Sequence, residues 1–311
     1  MILFLTLLIG FYRNERKRYD GSPSLPYYST DELGIKEERF SFYSGKNRLY
    51  GSRYYEKETR YKGIIVFFHG IGAGRTAYLK LISVFAKAGY LVYAYDNTGC
   101  MESEGKGYIG LGHVNPDQNA FFRFLDSDPK AKGYTRYALG HSWGGYASLL
   151  SLRKEFHVAK AVSISGFLKP EREILAAIKK LQKGIFHFLG KLCIRLVYGK
   201  NGNIDAVDVI KNSEAKVLYI QGDKDTLVPF KTNGAFLEKE LHAKQNVRFL
   251  FLKGRGHSPY LTPDAEKYSF SFFEETKKTI ELENHPAMDI AKATALEKKV
   301  IQAIIDFLDK E

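Results

Sequence analysis

Cysteine is scarce in this chain of 311 residues: Cys100 and Cys193 are its only two. Two thiols cannot staple a fold of this length, which excludes a disulfide scaffold. Nine prolines, with 44% hydrophobic and 26% charged residues, match ordinary globular usage. That composition excludes a collagen-like repeat, a disordered chain and a multi-span membrane protein. What is abundant is base: 47 Lys+Arg stand against 35 Asp+Glu, for a net charge of +12. Such an excess suits nucleic acid, an anionic membrane surface, acidic substrates or a merely basic surface. No module for groove or base readout is present, so nucleic acid is not an expected partner. The length can bury one large core or two modest ones.

Residues 1–12 (MILFLTLLIGFY) are apolar except for Thr6 and Gly10, and the basic run RNERKR follows at once. Twelve helical residues span about 18 Å, short of a ~30 Å hydrocarbon core. A secretory signal carries its positive charges before the apolar run and ends in small residues; here the charges come after. Base after the segment places the rest of the chain on the cytoplasmic side. We therefore read residues 1–18 as a membrane-associated segment that would meet an anionic lipid surface. The expected location is membrane-associated or cytoplasmic. Residues 19–36, with Gly, two Pro and several Ser, read as a linker, and 37–311 as a single folded domain.

Strand and helix patterns then alternate. Residues 38–44 alternate polar and apolar side chains, and 48–56 is the hairpin partner across Gly45-Lys46-Asn47. The runs 63–68 (GIIVFF) and 91–95 (LVYAY) are continuous and apolar, as strands covered on both faces are. Further strands are expected at 136–139, 159–165, 216–221 and 247–252. Helices are expected at 76–88, 117–125, 143–154, 235–241 and 291–308. This order predicts an α/β fold, a mostly parallel sheet with helices on both faces. Between the strands at 159–165 and 216–221, amphipathic helices at 171–181 and 185–197 suit a cap over the C-terminal strand ends, at about 168–212.

Three strand-end loops carry the chemistry. Gly140-His141-Ser142-Trp143-Gly144 lies between a strand and a helix, where a sharp turn lifts Ser142 clear and aims the Trp143 N–H at a developing oxyanion. A serine hydroxyl needs a base, and the base an orienting carboxylate. His257, in the glycine-loosened KGRGHSP loop after the last strand, is the candidate base, while strand geometry points His141 away from Ser142. In Gly222-Asp223-Lys224-Asp225, Asp223 and Asp225 compete; Asp225, further from the strand, is preferred. A second oxyanion donor is expected from Ile71 in His69-Gly70-Ile71-Gly72-Ala73-Gly74, whose spacing does not fit a dinucleotide loop.

HGIGAG, GHSWGG, GDKDTLVP and GRGHS, each after its strand, make residues 38–310 resemble the α/β-hydrolases. The likeness is greatest to the serine aminopeptidase, monoacylglycerol lipase and small esterase branch. The resemblance implies an eight-stranded, mostly parallel sheet, a helical cap, and a triad of Ser142, Asp225 and His257 with Ile71 and Trp143 as oxyanion donors. It also implies a carboxylic ester, lipid-like or small acyl, as substrate and no metal or organic cofactor. Acyl transfer or cofactor-free peroxidation on the same triad, and binding without catalysis, are the alternatives. Relatives carry Asp-x-Arg-Gly-x-Gly-x-Ser after the fourth strand; here residues 96–103 read DNTGCMES, without that arginine.

Overall fold

The computed structural model describes residues 18–21, 24–58, 60–107, 110–177, 202–279 and 287–310, with Leu5 and a few positions between 188 and 199. One eight-stranded sheet organises them. Its strands are β1 (Lys36–Ser44), β2 (Asn47–Tyr55), β3 (Ile64–Phe68), β4 (Leu91–Tyr95), β5 (Arg136–His141), β6 (Val158–Ile164), β7 (Lys216–Gly222) and β8 (Val247–Leu252). They lie in the order β1-β2-β4-β3-β5-β6-β7-β8. Gly45, at φ +59°, makes the tight turn of the β1–β2 hairpin. The β2–β4 pair is antiparallel, and every later pair is parallel.

The helices are α1 (Leu79–Lys87), α2 (Val114–Ser127), α3 (Trp143–Leu150), α4 (Pro170–Ala177), α5 (Ala206–Lys211), α6 (Gly234–Leu241), α7 (Pro263–Thr279), α8 (Ile290–Ala293) and α9 (Lys298–Asp309). All five residues of β3, and all five of β4, are buried. Buried side chains of α1 and α9, among them Ile82, Phe85, Ile304 and Phe307, form one core layer with strand residues such as Ile65 and Leu218. Those of α2, α3, α5 and α6 form the other layer, with Phe121 stacked 4.8 Å from Tyr95. The chain leaves β3 towards β4 on one side and reaches β5 on the other. A crevice therefore opens at the C-terminal ends of β3 and β5, where loops can converge on a ligand.

Several expected elements differ from the observed ones. The helix expected at 76–88 begins as a 3-10 turn, Arg75–Tyr78, before α1. The one expected at 143–154 stops at Leu150, and a separate 3-10 turn occupies Lys154–Phe156. The closing helix expected at 291–308 is two pieces, α8 and α9. They part where Leu296 bridges Leu261 and the Glu297 N–H donates to the Tyr260 carbonyl. Helix α7 lies in a stretch to which the sequence pattern assigns no element. Of the expected cap helices, α4 and residues 188, 189, 191, 192, 195 and 196 are described; the rest of 185–197, and 1–17 apart from Leu5, lie outside the described residues.

Candidate active site

Ser142 follows the last residue of β5 and precedes the first of α3, at φ 58° and ψ −117°. A left-handed φ on a non-glycine residue is strained, and here the surroundings enforce it. The Ser142 N–H donates to the Ile164 carbonyl at 2.8 Å, and its own carbonyl accepts the Tyr146 N–H at 3.1 Å. The glycine at 144 is obligatory: a Cβ there would lie 1.9 Å from the Phe68 carbonyl oxygen. Ser142 is half-exposed above this packing, at the start of a helix whose first backbone N–H groups form a region of positive potential.

His257 meets Asp225. The His257 Nδ1–H donates to the carboxylate, with the two oxygens at 2.9 and 3.0 Å. Asp225 is buried and also accepts the N–H groups of Leu227 (3.0 Å) and Val228 (2.9 Å) and the Gln221 side-chain amide (3.2 Å). Burial pushes its carboxyl up, but the His257 hydrogen bond and charge with these donors outweigh it and hold the group below its ordinary value. Asp223 instead accepts the Gly254 N–H at 2.6 Å and has no part in this pair. With Nδ1 fixed on Asp225, the other ring nitrogen, Nε2, is left to exchange a proton with a hydroxyl.

Two further histidines orient the surrounding backbone. Nδ1 of His69 lies 2.7 Å from the Gly70 carbonyl oxygen, which can only accept, so Nδ1 carries the proton. Its Nε2 accepts the Asn97 N–H at 3.1 Å. Burial pushes His69 down to about 4, so the ring is neutral. In a trans peptide the carbonyl and the following N–H point opposite ways. Holding the Gly70 carbonyl on His69 therefore turns the Ile71 N–H to the other side. Gly70 itself packs on the nucleophile turn, since a Cβ added to it would lie 3.6 Å from Ser142 Cβ.

His141 completes a chain of hydrogen bonds. Its Nε2–H donates to the His257 carbonyl at 2.9 Å, and its Nδ1 accepts the Tyr78 hydroxyl at 2.9 Å. That hydroxyl accepts the Gly70 N–H at 3.2 Å. Burial, with the His257 charge nearby, pushes His141 down to about 3 and keeps it neutral. The His141 ring centroid is 4.9 Å from that of His257. His141 thus points away from Ser142, as strand geometry requires, and ties three loops together.

The loop of residues 96–103, which lacks the relatives' arginine, is held by Arg75. Asp96 accepts the Arg75 backbone N–H at 2.7 Å and pairs with its guanidinium, which also reaches Glu102 at 2.8 Å. The Trp143 side chain is core: it is 1% exposed and its Nε1–H donates to the Leu111 carbonyl at 2.6 Å. Cap helix α4 contributes Glu173, which accepts from Asn233 at 3.0 Å and is raised above its ordinary value by burial. Sequence reasoning passed over Tyr78, His69 and Glu173, and placed His141 away from Ser142 without naming its partners. Of these, only His69 had a local signal, its place before a glycine-rich turn. Among the described residues no cluster of three His, Cys, Asp or Glu could hold a metal ion.

Residues 59–248 match the sequence profile of the family described as serine aminopeptidase, S33. No curated protein sequence matches the chain. Among solved structures, the Pyrococcus furiosus esterase Pf2001 superposes with a TM-score of 0.59 at 18% identity, over 84% of this chain and 95% of that one. The Pyrococcus horikoshii acylaminoacyl peptidase does so at 0.56 and 18%, over 84% of this chain and 44% of its own. A dienelactone hydrolase-like promiscuous phosphotriesterase from metagenomic libraries gives 0.55 and 14%, over 88% and 98%. At these identities the likeness is one of fold.

Proposed function

Because the chain belongs to the serine aminopeptidase S33 family of α/β-hydrolases, we propose that it is a serine hydrolase cleaving a carboxylic ester through an acyl-enzyme. The observation that carries this reading is the His257–Asp225 pair on loops neighbouring the strained turn of Ser142. Ser142 Oγ attacks the ester carbonyl carbon while His257 Nε2 takes its proton. The oxyanion forms against the N–H groups of Ile71 and Trp143, and the imidazolium is stabilised by Asp225. His257 then protonates the leaving alcohol. Water repeats the sequence on the acyl-enzyme and releases the acid. No step calls on a metal or organic cofactor.

Turnover of p-nitrophenyl acetate by the wild type, Asp225→Asn and Asp223→Asn tests the scheme. Asp225→Asn should lose on the order of 10⁴ in kcat, and Asp223→Asn little. Loss through Asp223 with Asp225→Asn active would overturn it. Comparing the ester with the matching p-nitroanilide ranks ester against amide cleavage, and alcohol added as acceptor reports acyl transfer. For location, the reading extends to residues 1–18 as a membrane-associated segment facing anionic lipid. What supports it is the order of apolar run and base. No helix of the described residues is long and apolar enough to cross a membrane.

A further inference from the structure

A cavity of about 250 Å³ lies beside the catalytic loops and shares Ile71, Tyr78 and His141 with the constellation described above. Its inner end is formed by Ile71, His141 and Ser258, which are a proposed oxyanion donor and the chain neighbours of Ser142 and His257. Ile71 is 40% exposed and lines this space, one residue after Gly70, where an added Cβ would lie 3.6 Å from Ser142 Cβ. The outer walls come from segments that flank the family match at 59–248. Pro26 and Tyr28 belong to the linker, and Leu261 and Leu296 follow β8. The two walls are joined where the Met288 N–H donates to the Ser24 carbonyl at 2.8 Å.

The lining is mostly apolar and most of its hydroxyls are engaged, Thr76 Oγ1 being buried without a partner. The Tyr78 hydroxyl is engaged by Gly70 and His141, that of Tyr260 by Ser258, and that of Tyr19 by Tyr27 at 3.4 Å. The rings therefore turn their carbon faces to the cavity. Among the described residues lining it, Lys80 is the only charged side chain besides the neutral His141, and its ammonium lies over the Tyr28 ring, 5.4 Å from the centroid. Among the described lining residues no carboxylate is present to receive an ammonium group, which disfavours an amino-terminal peptide. A hydrocarbon chain matches such a lining.

We infer that this cavity holds the acyl chain of the ester, so that the preferred substrates carry a medium-length hydrocarbon acyl group rather than acetyl. The inference rests on the serine-esterase reading. The ester carbonyl sits at Ser142 with its oxygen on the Ile71 and Trp143 N–H groups, and the chain passes Ile71 and Ser258 into the cavity. Each methylene buried there raises kcat/KM by about fourfold until the space is full.

The test is kcat/KM for p-nitrophenyl acetate, butyrate, hexanoate, octanoate and decanoate, with the wild type and two variants that fill the cavity from opposite walls, Ala77→Phe and Ala293→Phe. The wild type should favour the longer chains stepwise. Each variant should lower the octanoate-to-acetate ratio by about tenfold or more. A flat wild-type profile, or a ratio preserved in a variant that melts as a folded protein, overturns the assignment; should neither variant fold, the wild-type profile decides. Failure of the underlying reading is distinguishable. Fluorophosphonate labelling of the wild type alongside a flat profile leaves the serine hydrolase standing and removes only the cavity's role. Absence of both labelling and ester turnover removes both.

Discussion

Neutral, buried imidazoles set the polarity of the backbone around Ser142, and this has a cost in acid. His69 and His141 are held near 4 and 3 in the folded chain, against an ordinary value near 6.5, because burial disfavours the cation. Their contribution to stability is complete above about pH 6.5 and is lost as the pH falls towards those values. Each group's share falls by about 1.4 kcal/mol per pH unit in that window. Imidazole proton resonances of these two residues should keep their neutral shifts down to pH 5, while the resonance of an exposed histidine moves. Titration of either in step with the exposed ones would contradict the assignment. Tyr78 lies between them, with a hydroxyl that receives the Gly70 N–H and donates to His141. Tyr78→Phe should lower kcat by about tenfold with KM little changed, since it loosens the Ile71 donor rather than a substrate contact. A fall confined to KM would speak for a binding role instead. The loops bearing Ser142, Asp225 and His257 are legible in the sequence because each follows an apolar strand with its own turn chemistry. The Tyr78–His141 link is not, because it joins side chains 63 positions apart through the packing of α1 on the sheet.

Among the elements, the contact of α3 with the strands sets how closely the nucleophile turn can pack. Gly144 meets the Phe68 carbonyl with no room for a side chain, whereas Gly133, at φ +81°, has open space where a Cβ would go. Gly144→Ala should cost about 3 kcal/mol in a denaturant titration, and Gly133→Ala about 1 kcal/mol, from backbone strain alone. Equal effects would mean that the close contact is easily relieved. The strands are the most legible elements: β4 and β8 lie where their apolar runs predict, and the hairpin within a residue or two. Helix α7 was missed although its start is written in the chain. Thr262 precedes Pro263 at the first helical position, and Asp264 and Glu266 sit in the first turn. The Thr262 hydroxyl accepts the Ala265 N–H at 3.3 Å. The break before α9 was hidden because Leu296 continues the helical apolar spacing while pairing with Leu261.

For the molecule as a whole, the charge of +12 divides between roles. Arg18, the last of the basic run, turns inward: its guanidinium donates to the carbonyls of Met101, Ser103 and Gly105. It anchors the linker beside the loop of residues 96–103; the proposed contact with an anionic surface rests on the other bases of the run, Arg13, Arg16 and Lys17. Full-length protein should sediment with phosphatidylglycerol vesicles and be released by salt, and far less with phosphatidylcholine. Equal sedimentation with both lipids would remove the electrostatic part of that proposal. The sheet order and family follow from strand–helix alternation and four loop motifs. The cavity walls do not, since they are built from the linker and from residues after β8, where no periodicity announces their meeting.

The central claim is that Ser142 is a nucleophile activated by His257 and Asp225. Its most direct measurement is the mass of the protein after treatment with a fluorophosphonate. The wild type should gain one adduct, carried on the peptide containing Ser142, and Ser142→Ala should gain none. An adduct of equal yield on Ser142→Ala would contradict the account.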